Sequence, residues 1–274
     1  MVKIDKPLVS GRWRKENFDA PNLVILDGTI PKVTADLEIA NQVQIPNSRF
    51  FDIKKRFSNV DAPFPNTVPP EEQFTAESQN IGINQDSAIV VYDDKGIYSS
   101  ARVWYLFKAF GHKNIAVLDG GLPEWIDNDY AVVDKQIREV DRGDFIGKYN
   151  SETFKFFDDI KVVSDDNSFQ ILDARSSNRF KGLETEPRAG LRSGNIPNSE
   201  SLPFKELMNR NCMKPESELR EILSSFNIEN KKLVFSCGSG ITACILALAS
   251  EITGYNNFSV YDGSWTEYGT LTDA

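Results

Sequence analysis

The sequence predicts an α/β fold built twice: two tandem domains, each a central, mainly parallel sheet flanked by helices. Two observations carry that expectation. Apolar runs of strand length alternate with longer segments of helical spacing, and one order of short motifs occurs in both halves of the 274-residue chain. Alternation of this kind arises because a parallel strand needs a long crossover, usually a helix, to bring the chain back to the same end of the sheet.

The strands come first. In the first half they are "LVIL" at 23–26, "AIVVY" at 88–92 and "IAVL" at 115–118; in the second, "FQIL" at 169–172, "KLVF" at 232–235 and "FSVY" at 258–261. They are short and mostly apolar, as strands covered on both faces are. Between them, "SARVWYLFKAFG" (100–111) and "ITACILALASEITG" (241–254) space their apolar residues as helices do.

The repeat is legible at three places in one order. "ILDGT" (25–29) matches "ILDAR" (171–175), and "QIPNSRFF" (44–51) matches "NIPNSESLPF" (195–204). The longest match sets "VVYDDKGIYSSARVWYLFKAFGHKNIAVLDGG" (90–121) against "LVFSCGSGITACILALASEITGYNNFSVYDGS" (233–264). Two domains of one fold follow. Their join lies in the polar stretch 131–155, and the division is drawn as 1–142 and 143–274. The proline-rich segment 59–70 reads as a surface loop of the first domain.

Composition bounds the function. At 40% hydrophobic and 26% charged the chain reads as a soluble globular protein. No run approaches the ~18 apolar residues of a membrane helix. The first 18 residues carry acids and no apolar core, so neither a secretory signal nor a transit peptide is expected. A net charge of −9 argues against nucleic acid and anionic membranes as partners. Cys212, Cys237 and Cys244 cannot all pair and fit no zinc spacing, so no metal and a reducing, cytoplasmic location are expected. His112 is the single histidine, which excludes any chemistry that needs two.

Aligning Gly96-Ile97 with Gly240-Ile241 pairs Asp93 with Cys237. Both halves build a turn from strand to helix, but only the second arms it with a thiol. The first half therefore reads as a non-catalytic scaffold and the second as the catalytic domain. In "CGSGIT" (237–242), Gly238 and Gly240 permit the left-handed backbone that would converge N–H groups on one point. A helix starting near Thr242 favours a thiolate at its N-terminus, and Thr242 is placed to cap that helix. A buried cysteine can equally be a small hydrophobe, but a packed strand end has no need of Gly-Ser-Gly. Cys244, inside an apolar helix, reads as core; Cys212 lies in polar sequence with nothing to activate it. Cysteine phosphatases place an arginine five residues beyond the loop cysteine (C-x5-R), where this chain has Ala243.

With the duplication, the cysteine turn and "YDGSW" (261–265) together, the chain resembles the two-domain rhodanese sulfurtransferases. Its loop "CGSGITAC" (237–244) is similar to that of the 3-mercaptopyruvate branch; the thiosulfate-using branch carries Arg-Lys where this chain has Gly238-Ser239. The resemblance implies a ping-pong reaction without cofactor or metal. A Cys237 thiolate would take a sulfane sulfur from 3-mercaptopyruvate, and the persulfide would pass it to a thiol, thioredoxin or cyanide. It also implies a donor site formed by Gly238, Ser239, Gly240, Ile241 and Thr242 with two arginines. "NRFKGLETEPR" (178–188) matches the family's "GRFxGTEPEPR" and places Arg179 and Arg188. Guanidinium forks suit a planar carboxylate. Asp173 and its counterpart Asp27 read as fold residues that tie down backbone, and "DGG" and "DGS" read as turns. The chain departs from the branch at Lys54 and Asn66, which stand where the family has an acid and a histidine thought to work with the loop serine. Two alternatives stay open: a thiosulfate sulfurtransferase, and a persulfide carrier serving a protein relay.

Overall fold

The computed structural model describes residues 1–30, 42–226 and 228–273, and the chain divides into two units. The first comprises Met1–Asn59, Val68–Asn150 and Arg210–Met213; the second comprises Val60–Thr67, Ser151–Asn209 and Lys214–Ala274. Each contains one five-stranded sheet. In the first unit β1 (Leu8–Val9), β2 (Leu23–Asp27), β3 (Ser48–Phe50), β4 (Ala88–Tyr92) and β5 (Ile115–Leu118) run in the order β1-β5-β4-β2-β3. In the second, β6 (Phe154–Lys155), β7 (Phe169–Asp173), β8 (Ser199–Ser201), β9 (Lys232–Ser236) and β10 (Phe258–Tyr261) run β8-β7-β9-β10-β6. Read from the other edge this is the same order, and every pairing in both sheets is parallel. The sequence repeat is therefore a topological one.

Burial explains the strand composition. All five residues of β4 are buried, as are the last four of β9. Of the crossover helices, α1 (Ser100–Ala109) buries all but Lys108, and the segment that becomes α3 (Ala243–Ile252) buries its first eight residues. Between them in sequence lies the single turn α2 (Ser177–Phe180), and the chain ends on α4 (Ser264–Leu271). An apolar helix with no polar face is stable only when packed on all sides. In the second unit Val234, Ile171, Tyr261, Trp265 and Ile196 form one core.

Two parts of the expected division change. Residues 143–150, given to the second domain by a cut at 142/143, stay with the first unit. The reason is Phe145, fully buried, which meets Phe74 edge-on at 6.1 Å and lies 5.9 Å from Phe107. Conversely Val60–Thr67, read as a first-domain loop, belongs to the second unit. Among the described residues, no helix is long and apolar enough to cross a membrane.

Candidate active site

Register brings the loops together. β9 pairs with β7 so that Ser236 lies opposite Asp173, and both chains leave the sheet at the same carboxyl edge, where open α/β sheets bind ligands. Cys237 is the first residue beyond β9 and is 2% exposed. The first turn of α4 clamps its loop. Trp265 N donates to Cys237 O at 3.0 Å and Thr266 N to Gly238 O at 3.0 Å. The Ser264 hydroxyl oxygen accepts from Cys237 N at 3.1 Å and Gly240 N at 3.2 Å. That hydroxyl also donates to Tyr261 O at 2.8 Å and lies 3.8 Å from Cys237 Sγ.

Ser264 is a site residue that the reading of "DGS" as a turn missed. It holds φ +51°, a left-handed value costly for a residue with a side chain. Its counterpart Gly121 has φ +55°, and a Cβ there would sit 2.3 Å from Gly96 O. Serine where the other copy requires glycine was the available signal.

Gly240 does adopt the expected left-handed conformation, at φ +73°. Gly238 does not. A Cβ there would make a tight contact, 3.1 Å from Arg179 Nη2. Thr242 stands at the N-cap position of α3, but its side chain makes no capping hydrogen bond, contrary to expectation. The N–H groups of Gly238, Ser239, Ile241 and Thr242 find no acceptor among the described residues.

The first unit shows what such a loop holds. Asp93 is fully buried, and its carboxylate accepts from the N–H groups of Lys95 at 2.9 Å, Tyr98 at 2.8 Å, Ser99 at 2.9 Å and Ser100 at 2.9 Å. Burial raises this carboxyl above its ordinary range while the N–H donations pull it back. Ser239 is the counterpart of Lys95, and Thr242, the N-cap residue of α3, is the counterpart of Ser99, the N-cap residue of α1. One copy closes its cradle on its own anion. The other replaces that anion with a cysteine.

The two arginines are held differently. Arg188 donates through Nη2 to Ser239 Oγ and through Nη1 to Thr266 Oγ1, each at 3.1 Å. Arg179, on α2, is paired with Glu186 at 2.5 Å. The buried Glu186 carboxylate also takes Arg175 at 2.7 Å, and Arg175 makes a fork on Asp173 with a shortest contact of 2.7 Å. Asp173 does hold backbone, accepting from Arg175 N at 2.9 Å, but its larger role is in this ionic chain. The Arg175 guanidinium lies 4.7 Å from the Trp265 ring, a cation–π distance. The sequence singled out Arg179 and Arg188 but not Arg175 and Glu186, which are bonded in the same surroundings. The signals were an arginine two residues after Asp173, where the first copy has Thr29, and an acid two residues before Arg188. Asn66 completes the surroundings: its Nδ2 donates to Ser239 O and to Ser239 Oγ, both at 3.0 Å.

A profile of the rhodanese-like domain matches residues 10–128 and again residues 157–270. The chain belongs to the rhodanese family. This rhodanese is 36% identical over 298 aligned residues to thiosulfate/3-mercaptopyruvate sulfurtransferase 1, mitochondrial, of Arabidopsis thaliana, covering 99% of this chain and 78% of that one. It is 33% identical to the 3-mercaptopyruvate sulfurtransferase of Escherichia coli K12, covering 97% and 95%. The crystal structure of SseA from Escherichia coli, described as showing the rhodanese fold of 3-mercaptopyruvate sulfotransferases, superposes with a TM-score of 0.85 at 30% identity, covering 95% and 99%.

The remaining thiols and the histidine of this rhodanese sit in other settings. Cys244 is buried, and its Sγ donates to Gly240 O at 3.4 Å. Cys212 is half-buried in the first unit, where burial and the neighbouring Asp119 and Glu124 push its thiol up to about 12. It is therefore protonated at neutral pH, and iodoacetamide at pH 8 should leave it unmodified; peptide mass spectrometry showing rapid alkylation of Cys212 would contradict this environment. His112 lies buried in the first unit with Nε2 2.9 Å from Ser87 O, and burial lowers it below its ordinary value. Lys54 also belongs to the first unit, its amide bonded to Asp52 at 3.1 Å. Among the described residues, no cluster of His, Cys, Asp and Glu could hold a metal ion.

Proposed function

We propose that this rhodanese is a sulfurtransferase that carries sulfur from 3-mercaptopyruvate to a thiol-type acceptor as a persulfide on Cys237. The observation that carries the reading is the pair of loops: four N–H groups close on the Asp93 carboxylate in one unit, and beside Cys237 in the other the N–H groups of Gly238, Ser239, Ile241 and Thr242 meet no acceptor among the described residues. A cradle that accommodates an anion suits both a thiolate and the persulfide anion built on it. The second unit is then the catalytic domain and the first its scaffold.

The chemistry balances without a cofactor. The Cys237 thiolate attacks the donor sulfur. The S–S bond forms as the C–S bond breaks, and the electron pair leaves on carbon as the enolate of pyruvate, which takes up a proton. An acceptor thiolate, of thioredoxin for example, or cyanide then attacks the outer sulfur and returns the Cys237 thiolate. Arg188 grips the donor carboxylate, with Arg179 held behind Gly238 by Glu186. A neutral Gly238-Ser239 pair suits a monocarboxylate donor better than the compact thiosulfate dianion. Cys212, Cys237 and Cys244 form no disulfide, which fits a reducing compartment such as the cytoplasm.

The test compares initial rates with 3-mercaptopyruvate and with thiosulfate, cyanide as acceptor, in wild type and Cys237→Ser. Turnover should favour 3-mercaptopyruvate and fall on the order of 10⁴-fold or more in the variant, as loss of a covalent nucleophile does. Preference for thiosulfate would overturn the donor assignment, and full activity in Cys237→Ser would overturn the mechanism.

A further inference from the structure

The Ser239 hydroxyl has two fixed donors. Asn66 Nδ2 reaches its oxygen at 3.0 Å and Arg188 Nη2 at 3.1 Å. The same Asn66 nitrogen lies 3.0 Å from Ser239 O. A backbone carbonyl only accepts, so the atom facing it must be the amide nitrogen, which settles the orientation of the side chain. A hydroxyl oxygen has two lone pairs, and both are now used. Its hydrogen must point elsewhere, and no described residue accepts it.

We infer that Asn66 is a positioning residue that makes Ser239 a one-way hydrogen-bond donor to an acceptor oxygen of the sulfur donor, the ketone or carboxylate of a 2-oxo acid. The inference rests on the function proposed above. Neither the amide nor the guanidinium changes protonation near neutral pH, so the hydroxyl acts as a fixed dipole and passes no proton along. The backbone supports the placement: Asn66 is 4% exposed and holds φ +64°, a left-handed conformation that asparagine tolerates better than most residues.

The test separates the two half-reactions. Single-turnover pyruvate release from 3-mercaptopyruvate reports persulfide formation, and cyanide discharge of preloaded enzyme reports its removal. Because φ is positive, Asn66→Gly removes the side chain with less backbone strain than alanine; Asn66→Asp keeps the shape but donates nothing and accepts the serine hydrogen itself. Asn66→Gly and Ser239→Ala should each slow persulfide formation ~10- to 100-fold and leave discharge unchanged. Asn66→Asp should slow it at least as much as Asn66→Gly. Asn66→Gly should cost far less in a Ser239→Ala background than alone, since only the bond to the Ser239 carbonyl is then left to lose. The ratio of wild-type to Ser239→Ala rates should stay flat from about pH 6 to 9. Wild-type rates in Asn66→Asp, multiplicative losses in the double variant, or a ratio that titrates would overturn the inference. Failure of the parent reading is distinct: wild type itself would form no Cys237 persulfide.

Discussion

Asp93→Ala should lower the stability of the protein by about 3–5 kcal/mol in chemical denaturation. Four N–H groups converge on that carboxylate inside a fully buried turn. Each buried donor left without a partner costs about 1–3 kcal/mol, and water entering the vacated space recovers part of the sum. Asp93→Asn should cost less, because its single carbonyl oxygen still accepts while its NH2 group faces other donors. A change within 0.5 kcal/mol, as at an ordinary surface site, would mean that the turn does not depend on an anion. The result bears on function because the Cys237 loop makes the same turn from strand to helix, one residue shorter. If the first unit needs a negative charge at this point, the second gains one whenever Cys237 is a thiolate or persulfide.

Glu186→Ala should be as damaging for a different reason. The Glu186 side chain is fully buried; its Oε1 accepts from both Arg175 and Arg179, and its Oε2 accepts from Arg179. Removing one member of a buried ionic group costs about 3–5 kcal/mol, because the remaining charges stay desolvated without compensation. Arg175 keeps its fork on Asp173, whereas Arg179 loses the carboxylate that holds it beside Gly238. The nearly isosteric Glu186→Gln isolates the electrostatic part. Three guanidinium groups against two carboxylates become three against one, so the ratio of kcat/KM for dianionic thiosulfate over 3-mercaptopyruvate should rise. Initial rates with both donors check it. An unchanged ratio would show that Arg179 does not act on the donor.

Much of this was readable in the chain itself. Strands such as 88–92 and 232–236 announce themselves because a strand buried on both faces must be apolar throughout. Cys237 stood out because the other copy has Asp93 in its place. Ser264, Glu186 and Asn66 did not stand out. Each is an ordinary polar residue whose importance comes from a partner elsewhere: Ser264 reaches back 27 residues to Cys237, and Asn66 reaches 173 residues forward to Ser239. The cut at 142/143 failed for a similar reason, since nothing local to Phe145 reveals that its ring belongs against Phe74 and Phe107.

By itself the sequence determined the duplicated α/β architecture and the asymmetry between a thiol and a carboxylate at one turn. Both are local properties, written in the spacing of apolar residues and in the identity of one residue per repeat. Only the tertiary structure decided which groups surround that turn. A backbone N–H must find an acceptor or face a ligand, and an arginine must find a carboxylate or face one. Which of these happens depends on groups brought close in space by the sheet, across separations that hydrophobic periodicity does not encode.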